Sequence, residues 1–471
     1  MISTMVREIL STPALLVGLF TLIGLLIQKK SIDHVIKGTV TAIVGFVLLD
    51  AGSQLLQNGA LADFGRLFEY DFNLQGVVPN MEAVSSLGIS EYATMISVIM
   101  LLGMIFNIIL ARLSAYRYIF LTGHHILYMA CLLCIVLSQS DMPDWQIIAG
   151  SGILLGFLMC VLPALAQSRM RELTGSDKVA IGHFSVFGYI LASAVGAVFA
   201  PKRGEDKDIE KNMNRSTEDV KFPAKLGFMR DTTVGIFIVM TAIFLVLSGI
   251  AAARTDLSEL DISYQSEVYQ SWMVYALVQG AKFSAAIYII LAGVRLTIAE
   301  IVPAFKGIAA KAVPDAKPAV DCPVLFSYAP NAAMIGFLSS FAGGVAAMAV
   351  MIAVSSCTVL AVPVIVPGVV AHFFCGGTAG VFANAKGGLK GCVAGAFVHG
   401  IFISALSLFV MPVLGTFNMA GTSFSDADFC VVGIILGNLI RHIPSQLMFA
   451  LCILIAVIPV AVYQVKMHSR K

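Results

Sequence analysis

Three histidines and an aspartate lie where polar residues interrupt an otherwise apolar chain. His124 and His183 each follow a glycine, His125 comes directly after His124, and Asp321 begins the stretch DCPVLFSYAPNA. An ionisable group inside a membrane is costly, so such groups usually face a cavity or a partner. A neutral imidazole donates and accepts hydrogen bonds and a carboxylate accepts them, which suits the hydroxyl groups of a sugar-like solute. A single histidine is more often a packed core residue, but two Gly-His pairs in interrupted segments favour a binding site.

Asn80 and Asn331 are two further candidate ligands for such a solute. Each follows a proline and precedes a long apolar run, in GVVPNMEA and SYAPNAA. An amide side chain donates and accepts hydrogen bonds, but an asparagine at the start of a helix also serves as its N-cap. Both interpretations stay open from the sequence alone.

No residue pattern in the chain predicts catalysis or a bound metal. A nucleophile, a base and an orienting group do not occur at a suitable spacing. Cys131 and Cys134 form a CxxC, but it lies inside the apolar run MACLLCIVL without a second pair at metal-binding spacing. The glycines of CGGTAGVFANAKGG do not form the GxxxxGK[ST] of a phosphate-binding loop, so helix packing or a hairpin tip explains them better. We therefore expect no catalytic residue, no metal site and no cofactor.

The candidate ligands lie in broken membrane segments. Pro323 and Pro330 each remove a backbone donor from the stretch that begins at Asp321, which therefore cannot be an ordinary spanning helix. A surface loop with turn residues is the alternative. Against it stands a second Pro-Asn pair close to 250 residues earlier, with GFVLLDAGSQLL and GVRLTIAEIVPAF at nearly the same separation. Corresponding interruptions in two halves of an apolar chain are typical of transporter binding sites.

The composition predicts an integral membrane protein. Of the 471 residues, 58% are hydrophobic and only 12% are charged, too few to solvate a globule of this size. The net charge of +2 comes without a basic stripe, so nucleic acid is not an expected partner. With roughly 20 residues needed for each crossing, the sequence predicts eleven spans in the lipid bilayer, at 10–28, 36–56, 92–111, 119–138, 146–166, 232–252, 272–297, 333–354, 370–390, 391–412 and 445–464. The stretches 180–200 and 429–443 are interrupted by polar residues and are predicted to be re-entrant or interfacial.

Basic residues and connection lengths determine the predicted topology. Lysines and arginines collect on alternate connections, which predicts an N-terminus outside and a C-terminus in the cytoplasm. Five spans precede the second unit, so the two units enter the membrane in opposite directions. We predict a first repeat over 1–200, a hydrophilic cytoplasmic linker over 201–230 and a second repeat over 231–471. The predicted fold class is an all-α polytopic membrane protein with two inverted repeats.

Three charged residues suggest other roles. Arg295 and Glu300, in GVRLTIAEI, are predicted to form a structural ion pair with each other or with the opposite half of the chain. Asp50 lies within an apolar run, where a proton-coupled carrier would need an acid.

An ordered set of motifs resembles a known family. GFVLLDAGS, LTGH, IGH, GVRLTIAEIVPAFKGI, DC followed by SYAPNA, and GVFAN with GG just after it occur in this order along nearly the whole chain. In this order they resemble the ascorbate-type enzyme IIC, the membrane subunit of the bacterial phosphoenolpyruvate-dependent sugar phosphotransferase system. Each motif is weak by itself, and the ordered set is strong.

The resemblance implies a transporter subunit of the bacterial inner membrane and not an enzyme. It implies an eleven-span fold with an inverted repeat, divided into a V-shaped dimerisation domain and a core transport domain that moves across the membrane like an elevator. It also implies a homodimer that works with cognate IIB and IIA subunits, of which IIB carries a phosphocysteine that phosphorylates the solute. Carried over by motif, His124, His183 and Asp321 are the expected solute ligands.

The chain departs from the ascorbate pattern after both histidines. That pattern has glutamines there, whereas this chain has Tyr128 and Met129 after the first histidine and Phe184 and Ser185 after the second. Losing those amides removes hydrogen bonds that a site for ascorbate requires. Tyr128 therefore joins the candidate ligands, and the expected solute is ascorbate or another sugar, sugar acid or polyol. A secondary carrier driven by protons or sodium is the alternative function.

Overall fold

The fold is known for most of the chain, and it is mostly helical. The computed structural model describes residues 13–200, 216–219, 231–265, 268–299, 309, 311–357, 362–419 and 421–468. The α-helices in these ranges are α1 (Pro13–Ile27), α2 (Ile32–Leu55), α3 (Ala62–Phe72), α4 (Met81–Leu113), α5 (Gly123–Leu137), α6 (Asp144–Thr174), α7 (Val186–Ala197), α8 (Thr232–Ala252), α9 (Trp272–Ile298), α10 (Pro323–Phe326), α11 (Pro330–Cys357), α12 (Val369–Ala371), α13 (Gly377–Val410), α14 (Ala427–His442) and α15 (Ser445–His468). The strands are β1 (Gly76–Pro79), β2 (Tyr118–Phe120), β3 (Ala180–Ile181), β4 (Lys317–Val320), β5 (Val364–Ile365) and β6 (Thr422–Ser423).

The short strands form hydrogen-bonded pairs between the two halves of the chain. Within the described ranges, β1 lies between β5 and β6, and β4 lies between β2 and β3. Every neighbouring pair is parallel. Each sheet therefore combines one strand from one half of the chain with two strands from the other half. Parallel neighbours require long crossover connections, and here membrane helices lie in those connections.

These strands are an addition to the predicted all-α architecture. The longest have four residues, and β1 is buried along its whole length. A run this short carries no readable alternation of polar and apolar residues, so the sequence gives no sign of it. The strands provide hydrogen-bond partners for backbone that leaves the helices, which apolar surroundings would otherwise leave unsatisfied.

Eight helices in the described part of the chain are long and apolar enough to cross a membrane. This number supports an integral membrane protein, although the sequence predicts eleven spans. Two apolar helices are shorter than a crossing requires, since α5 has 15 residues and α7 has 12, against roughly 20 for a full span. The predicted span 119–138 is therefore a strand followed by a helix too short to cross alone.

The long helix α13 contains a reversal of the chain. A straight helix of its 34 residues would be about 50 Å long, well beyond the thickness of a bilayer core. Gly387 and Gly388 leave helical geometry, and Gly388 has a φ of 58°. A Cβ atom built on Gly395 would lie only 2.7 Å from the Cβ atom of Ala383. The two arms of α13 therefore lie side by side, and the two glycines form the hairpin tip.

A short piece of the predicted linker packs against the second half of the chain. The structure describes residues 216–219 of that linker, and the remainder lies outside the described residues. The Glu218 carboxylate accepts the backbone N–H groups of Asn331 and Ala332, each at 3.0 Å. These donors belong to the start of α11 and have no partner within that helix. Thr217 is fully buried in the same contact. The segment therefore caps the helix that follows the Asp321 stretch.

Candidate functional site

A cavity of about 500 Å³ lies between two walls of different origin. One wall is built from the chain segments that follow the short strands. This wall carries Glu82, His124, Tyr128, His183, Asp321 and Asp426. The other wall is built from α8 and α9, and Arg295 lies on it. Four of the predicted solute ligands therefore lie in one cavity: the two histidines, Tyr128 and Asp321.

The sheet β2–β4–β3 explains why these distant residues meet. Its strands are parallel neighbours, so their carboxyl ends lie at the same edge of the sheet. His124 follows β2 after a short turn, His183 follows β3 at its second residue, and Asp321 directly follows β4. Because β4 belongs to the second half and its neighbours to the first, the site is assembled from both halves.

Asp321 lies between two imidazole rings. Its carboxylate oxygens are 3.5 Å from His124 Nε2 and 3.9 Å from His183 Nε2. The second distance is longer than a hydrogen bond. The side chains of His124 and Asp321 are each 31% exposed, and that of His183 is 3% exposed. The aspartate therefore keeps accepting capacity for a solute that enters the cavity.

Contacts behind two of the histidines favour one tautomer. The Tyr189 hydroxyl lies 2.8 Å from His183 Nδ1, on the side away from Asp321. A hydroxyl that donates to Nδ1 leaves the ring proton on Nε2, facing the carboxylate. The backbone N–H of Phe184 donates to His125 Nδ1 at 3.3 Å, so the neutral His125 ring also carries its proton on Nε2. With these protonation states, both rings can donate a hydrogen bond from Nε2.

His183 is held in place by two helices that meet at their amino ends. The Asp428 carboxylate accepts the backbone N–H groups of Val186 and Phe187 at 2.8 Å and 2.9 Å. In return, Ser185 Oγ accepts the N–H of Ala427 at 3.3 Å. These bonds satisfy donors that each helix leaves unpaired at its start, and a negative charge there is favoured by the helix dipole. These bonds therefore fix the junction of α7 and α14 next to His183.

The sequence analysis missed two acids in the cavity wall that carries Asp321, namely Glu82 and Asp426, whereas it named His125 together with His124. Glu82 had a local signal, because it is in the first turn after Asn80. Asp426 follows the two-residue strand β6, which the sequence does not reveal. Ser425 Oγ donates to its carboxylate at 2.9 Å.

The group around His125 also comes close enough together to suggest a metal, but the hydrogen bonds of His125 do not fit one. His125, His183 and Asp426 form one of three groups whose ligand atoms lie within 4.8 Å of one another. A metal needs an unused lone pair on a ring nitrogen. In neutral His125 one nitrogen carries the proton, and the other accepts the N–H of Phe184. The group is therefore better suited to a hydrogen-bonding solute.

The structure does not bring the two predicted asparagine ligands to the cavity. Asn80 is the N-cap of α4, and its Oδ1 accepts the N–H of Ala83 at 2.8 Å. Asn331 lies at the start of α11, where its side-chain amide donates to the Thr217 carbonyl at 3.3 Å. Of the two interpretations that the sequence leaves open, the geometry favours capping for Asn80 and a linker contact for Asn331.

The other charged residues named in the sequence analysis differ in their position relative to the cavity. Asp50 lies on α2 outside the cavity wall, and its carboxylate accepts a hydrogen bond from Gln54 at 2.7 Å. Arg295 lines the cavity, while Glu300, its predicted ion-pair partner, lies outside the described residues.

Long apolar helices, with a cavity lined by several charged side chains between them, support an integral membrane protein. Comparison with known proteins gives the family. The family model "EIIC-GAT: PTS system sugar-specific permease component" matches residues 8–428. Because this match covers most of the chain, the chain belongs to that permease family of the phosphotransferase system, and the resemblance seen in the motifs is confirmed.

One curated relative is described as specific for ascorbate. The ascorbate-specific PTS system EIIC component of Mycoplasma pneumoniae is 28% identical over 427 residues. The alignment covers 81% of this chain and 62% of that protein. The chain therefore spans less than two thirds of the length of the relative.

Proposed function

We propose that this chain is the solute-translocating subunit of a bacterial phosphotransferase system, with cognate IIB and IIA subunits as partners. It imports ascorbate or a related sugar or polyol, which the IIB subunit phosphorylates on the cytoplasmic side. The observation that carries this proposal is the cavity in which Asp321, His124 and His183 meet. Hydrogen-bond donors alternate there with carboxylate acceptors, as recognition of several hydroxyl groups requires.

The charge of the cavity favours the neutral members of this solute class. Among the described residues, its lining has one guanidinium, from Arg295, and four carboxyl groups. The acids are Glu82, Asp231, Asp321 and Asp426. An anion such as ascorbate would meet like charges, of which those of Glu82 and Asp426 are buried, and this is unfavourable. A sugar or polyol brings only hydroxyl groups. Its binding also does not require the glutamines that the ascorbate pattern has after both histidines.

The strand pairing supports an inverted repeat. The central strand of each sheet, β1 or β4, comes from one half and pairs with two strands of the other half. Asp321 directly follows β4, as Asn80 directly follows β1. A pseudo-two-fold axis relating the halves accounts for this exchange of strands. It also gives the site residue Asp321 and the helix cap Asn80 corresponding positions, and the two Pro-Asn pairs named in the sequence analysis then do not correspond.

The two walls of the cavity support movement of one part of the molecule past another. The segments after the strands would form the core transport domain, and α8 and α9 would belong to the dimerisation domain. A solute between the walls is released when the core slides past α8 and α9, as in an elevator. We propose a homodimer in the cell membrane, with the N-terminus outside and the C-terminus in the cytoplasm.

Uptake by sealed vesicles tests the proposed function. The chain is expressed with its cognate soluble subunits, and uptake of labelled xylitol, sorbitol and ascorbate is measured. We expect accumulation of a phosphorylated product that depends on phosphoenolpyruvate. Accumulation of unmodified solute that a protonophore abolishes would instead support the proton-coupled carrier. Vesicles that lack the IIB subunit are the control, and they should accumulate no phosphorylated product.

A further inference from the structure

Asp321 has a buried thiol as its next neighbour in the chain. Cys322 is fully buried and forms no disulfide. Its Sγ atom, a ring nitrogen of His183 and a carboxylate oxygen of Asp321 lie within 4.8 Å of one another. Imidazole, carboxylate and thiolate groups are the side chains that bind zinc in proteins. Spacing along the chain does not reveal this group, because His183 and Cys322 belong to different halves of it.

The hydrogen bond of His183 can adapt to a metal, whereas that of His125 cannot. His125 Nδ1 faces a backbone N–H, which only donates. His183 Nδ1 lies 2.8 Å from the Tyr189 hydroxyl, which can donate or accept. When Nδ1 keeps the ring proton and donates it to that hydroxyl, Nε2 has a free lone pair on the side of Asp321. Histidines that bind metals usually donate such an outer hydrogen bond.

The distances between the three donor atoms are close to those of a zinc site. Asp321 Oδ1 lies 3.9 Å from His183 Nε2. The backbone N–H of Cys322 donates to the same oxygen at 2.7 Å, which leaves that oxygen another lone pair. Around a tetrahedral zinc ion with bonds of about 2.0–2.3 Å, neighbouring ligand atoms are about 3.3–3.8 Å apart. The donors therefore need to approach one another by only about 1 Å or less.

We propose that His183, Asp321 and Cys322 form an inhibitory site for Zn²⁺. Cys322 releases its thiol proton to solvent when the ion binds, and a water molecule takes the fourth tetrahedral position. A donor set of nitrogen, oxygen and sulfur selects zinc over magnesium, which prefers oxygen ligands.

The inhibition follows from shared residues. His183 and Asp321 are also the expected solute ligands, so a bound ion and a bound solute exclude each other. This competition rests on the proposed function, whereas binding of the ion itself does not.

Titration calorimetry of the purified full-length chain in detergent, without an affinity tag, tests the site with Zn²⁺ alone. One ion should bind tightly per chain, and Mg²⁺ should not bind. Cys322→Ser should weaken Zn²⁺ binding about 100-fold or more, because loss of an outer partner of a ligand already costs about 10- to 100-fold. Cys357→Ser changes an exposed cysteine, and it should bind Zn²⁺ as the wild type does.

Co²⁺ gives a second readout, which does not depend on the folding of a variant. Co²⁺ accepts the same kinds of ligand as Zn²⁺, and a thiolate bound to it absorbs in the near ultraviolet. We expect this absorption in the wild type and in Cys357→Ser, and not in Cys322→Ser. A wild-type cobalt complex without thiolate absorption would overturn the site, as would equal Zn²⁺ affinities of Cys322→Ser and the wild type.

A competition experiment tests the inhibition. Binding of xylitol, sorbitol and ascorbate is measured by titration calorimetry, and the tightest of these is titrated again in the presence of Zn²⁺. The apparent Kd of the wild type should rise with the Zn²⁺ concentration and return to its first value with a chelator. Zn²⁺ that binds without lowering solute affinity would overturn the inhibition. Failure of the wild type to bind any of the three solutes would overturn the proposed function and the inhibition, and would leave the zinc site standing.

Discussion

Two polar clusters of this protein differ in how completely their groups are paired. Asp63, at the start of α3, is 2% exposed and accepts the backbone N–H of Ser263 at 2.9 Å and the Tyr275 hydroxyl at 2.8 Å. The Ser263 hydroxyl also donates to it. In the cavity, the Asp321 carboxylate has two histidine nitrogens at 3.5 Å and 3.9 Å. The Asp63 carboxylate therefore has three hydrogen-bond donors. The Asp321 carboxylate accepts the backbone N–H of its neighbour Cys322 at 2.7 Å and keeps free capacity.

Under the proposed function, the difference separates a carboxylate that stabilises the fold from one that binds the solute. The Asp63 cluster joins α3, α9 and the connection before α9, and Gln279 extends it by donating to Ser263 Oγ at 2.7 Å. A fully paired buried carboxylate fixes the elements that it touches. A partly paired carboxylate costs stability until a solute completes it. The predictions below test this contrast, from the largest expected effect to the smallest.

Removal of the Asp63 carboxylate should have the largest effect on stability. Asp63→Ala leaves the Tyr275 hydroxyl and the Ser263 donors buried without an acceptor, which should cost about 3 kcal/mol of unfolding free energy. The melting temperature in detergent measures the loss. Tyr275→Phe, which removes one donor, should cost about 1 kcal/mol. Solute affinity of the folded fraction should stay at the wild-type value in both variants. A large drop in affinity would contradict the assignment of the Asp63 cluster to stability alone.

Neutralisation of Asp321 should act on binding instead of stability. Asp321→Asn keeps the side-chain size and removes the charge that both histidines face, so solute affinity should fall about 10- to 100-fold. The melting temperature should change little, because the asparagine oxygen can still accept the N–H of Cys322, and the histidine nitrogens lie 3.5 Å and 3.9 Å away. Titration of the purified variant with the tightest-binding solute measures the effect, and an affinity equal to that of the wild type would refute the role of Asp321.

The linker contact should have an intermediate effect. Glu218→Gln retains an acceptor for the backbone donors of α11 but loses the negative charge at the helix start, so stability should fall by about 1 kcal/mol or less. Thermal melting and the rate of limited proteolysis measure this change. Glu69→Gln alters an exposed acid elsewhere and serves as the control. Equal melting temperatures and proteolysis rates in Glu218→Gln and the wild type would show that the segment does not secure α11.

The exposed pair of Lys317 and Asp177 should have the smallest effect. Their charged atoms are 2.5 Å apart, with side chains 26% and 49% exposed. Solvent screening limits such a pair to less than about 1 kcal/mol. Hydrogen bonds from Lys317 and Gln167 lower the pKa of the Asp177 carboxyl below its ordinary value.

The pH dependence of this pair gives a test with a defined sign. A lowered folded-state pKa contributes stability above the unfolded pKa of about 3.9, and the contribution disappears as pH falls through the folded value. The stability difference between the wild type and Lys317→Met should therefore be present at neutral pH and decline in acid below about pH 4. A difference that stays constant across this range would contradict the assigned ion pair.

Much of the candidate site could be predicted from the sequence. The cost of placing histidine and aspartate in apolar surroundings drew attention to His124, His183 and Asp321, and all three line the cavity. The same reasoning selected Asn80 and Asn331, which lie at helix starts outside the cavity lining. An asparagine after a proline fits both roles, and only the position of its neighbours decides between them.

The sequence by itself determined the membrane character of this protein, its permease family and the segments in which helices break. Those properties depend on local composition, on prolines and glycines, and on the order of motifs. The tertiary structure decided which polar groups meet and which remain unpaired. It did so through two-residue to four-residue strands that pair across the two halves of the chain. Strands of two to four residues are too short to show a periodic pattern in the sequence. Their parallel partners lie far away along the chain and are brought together by the packing of whole helices.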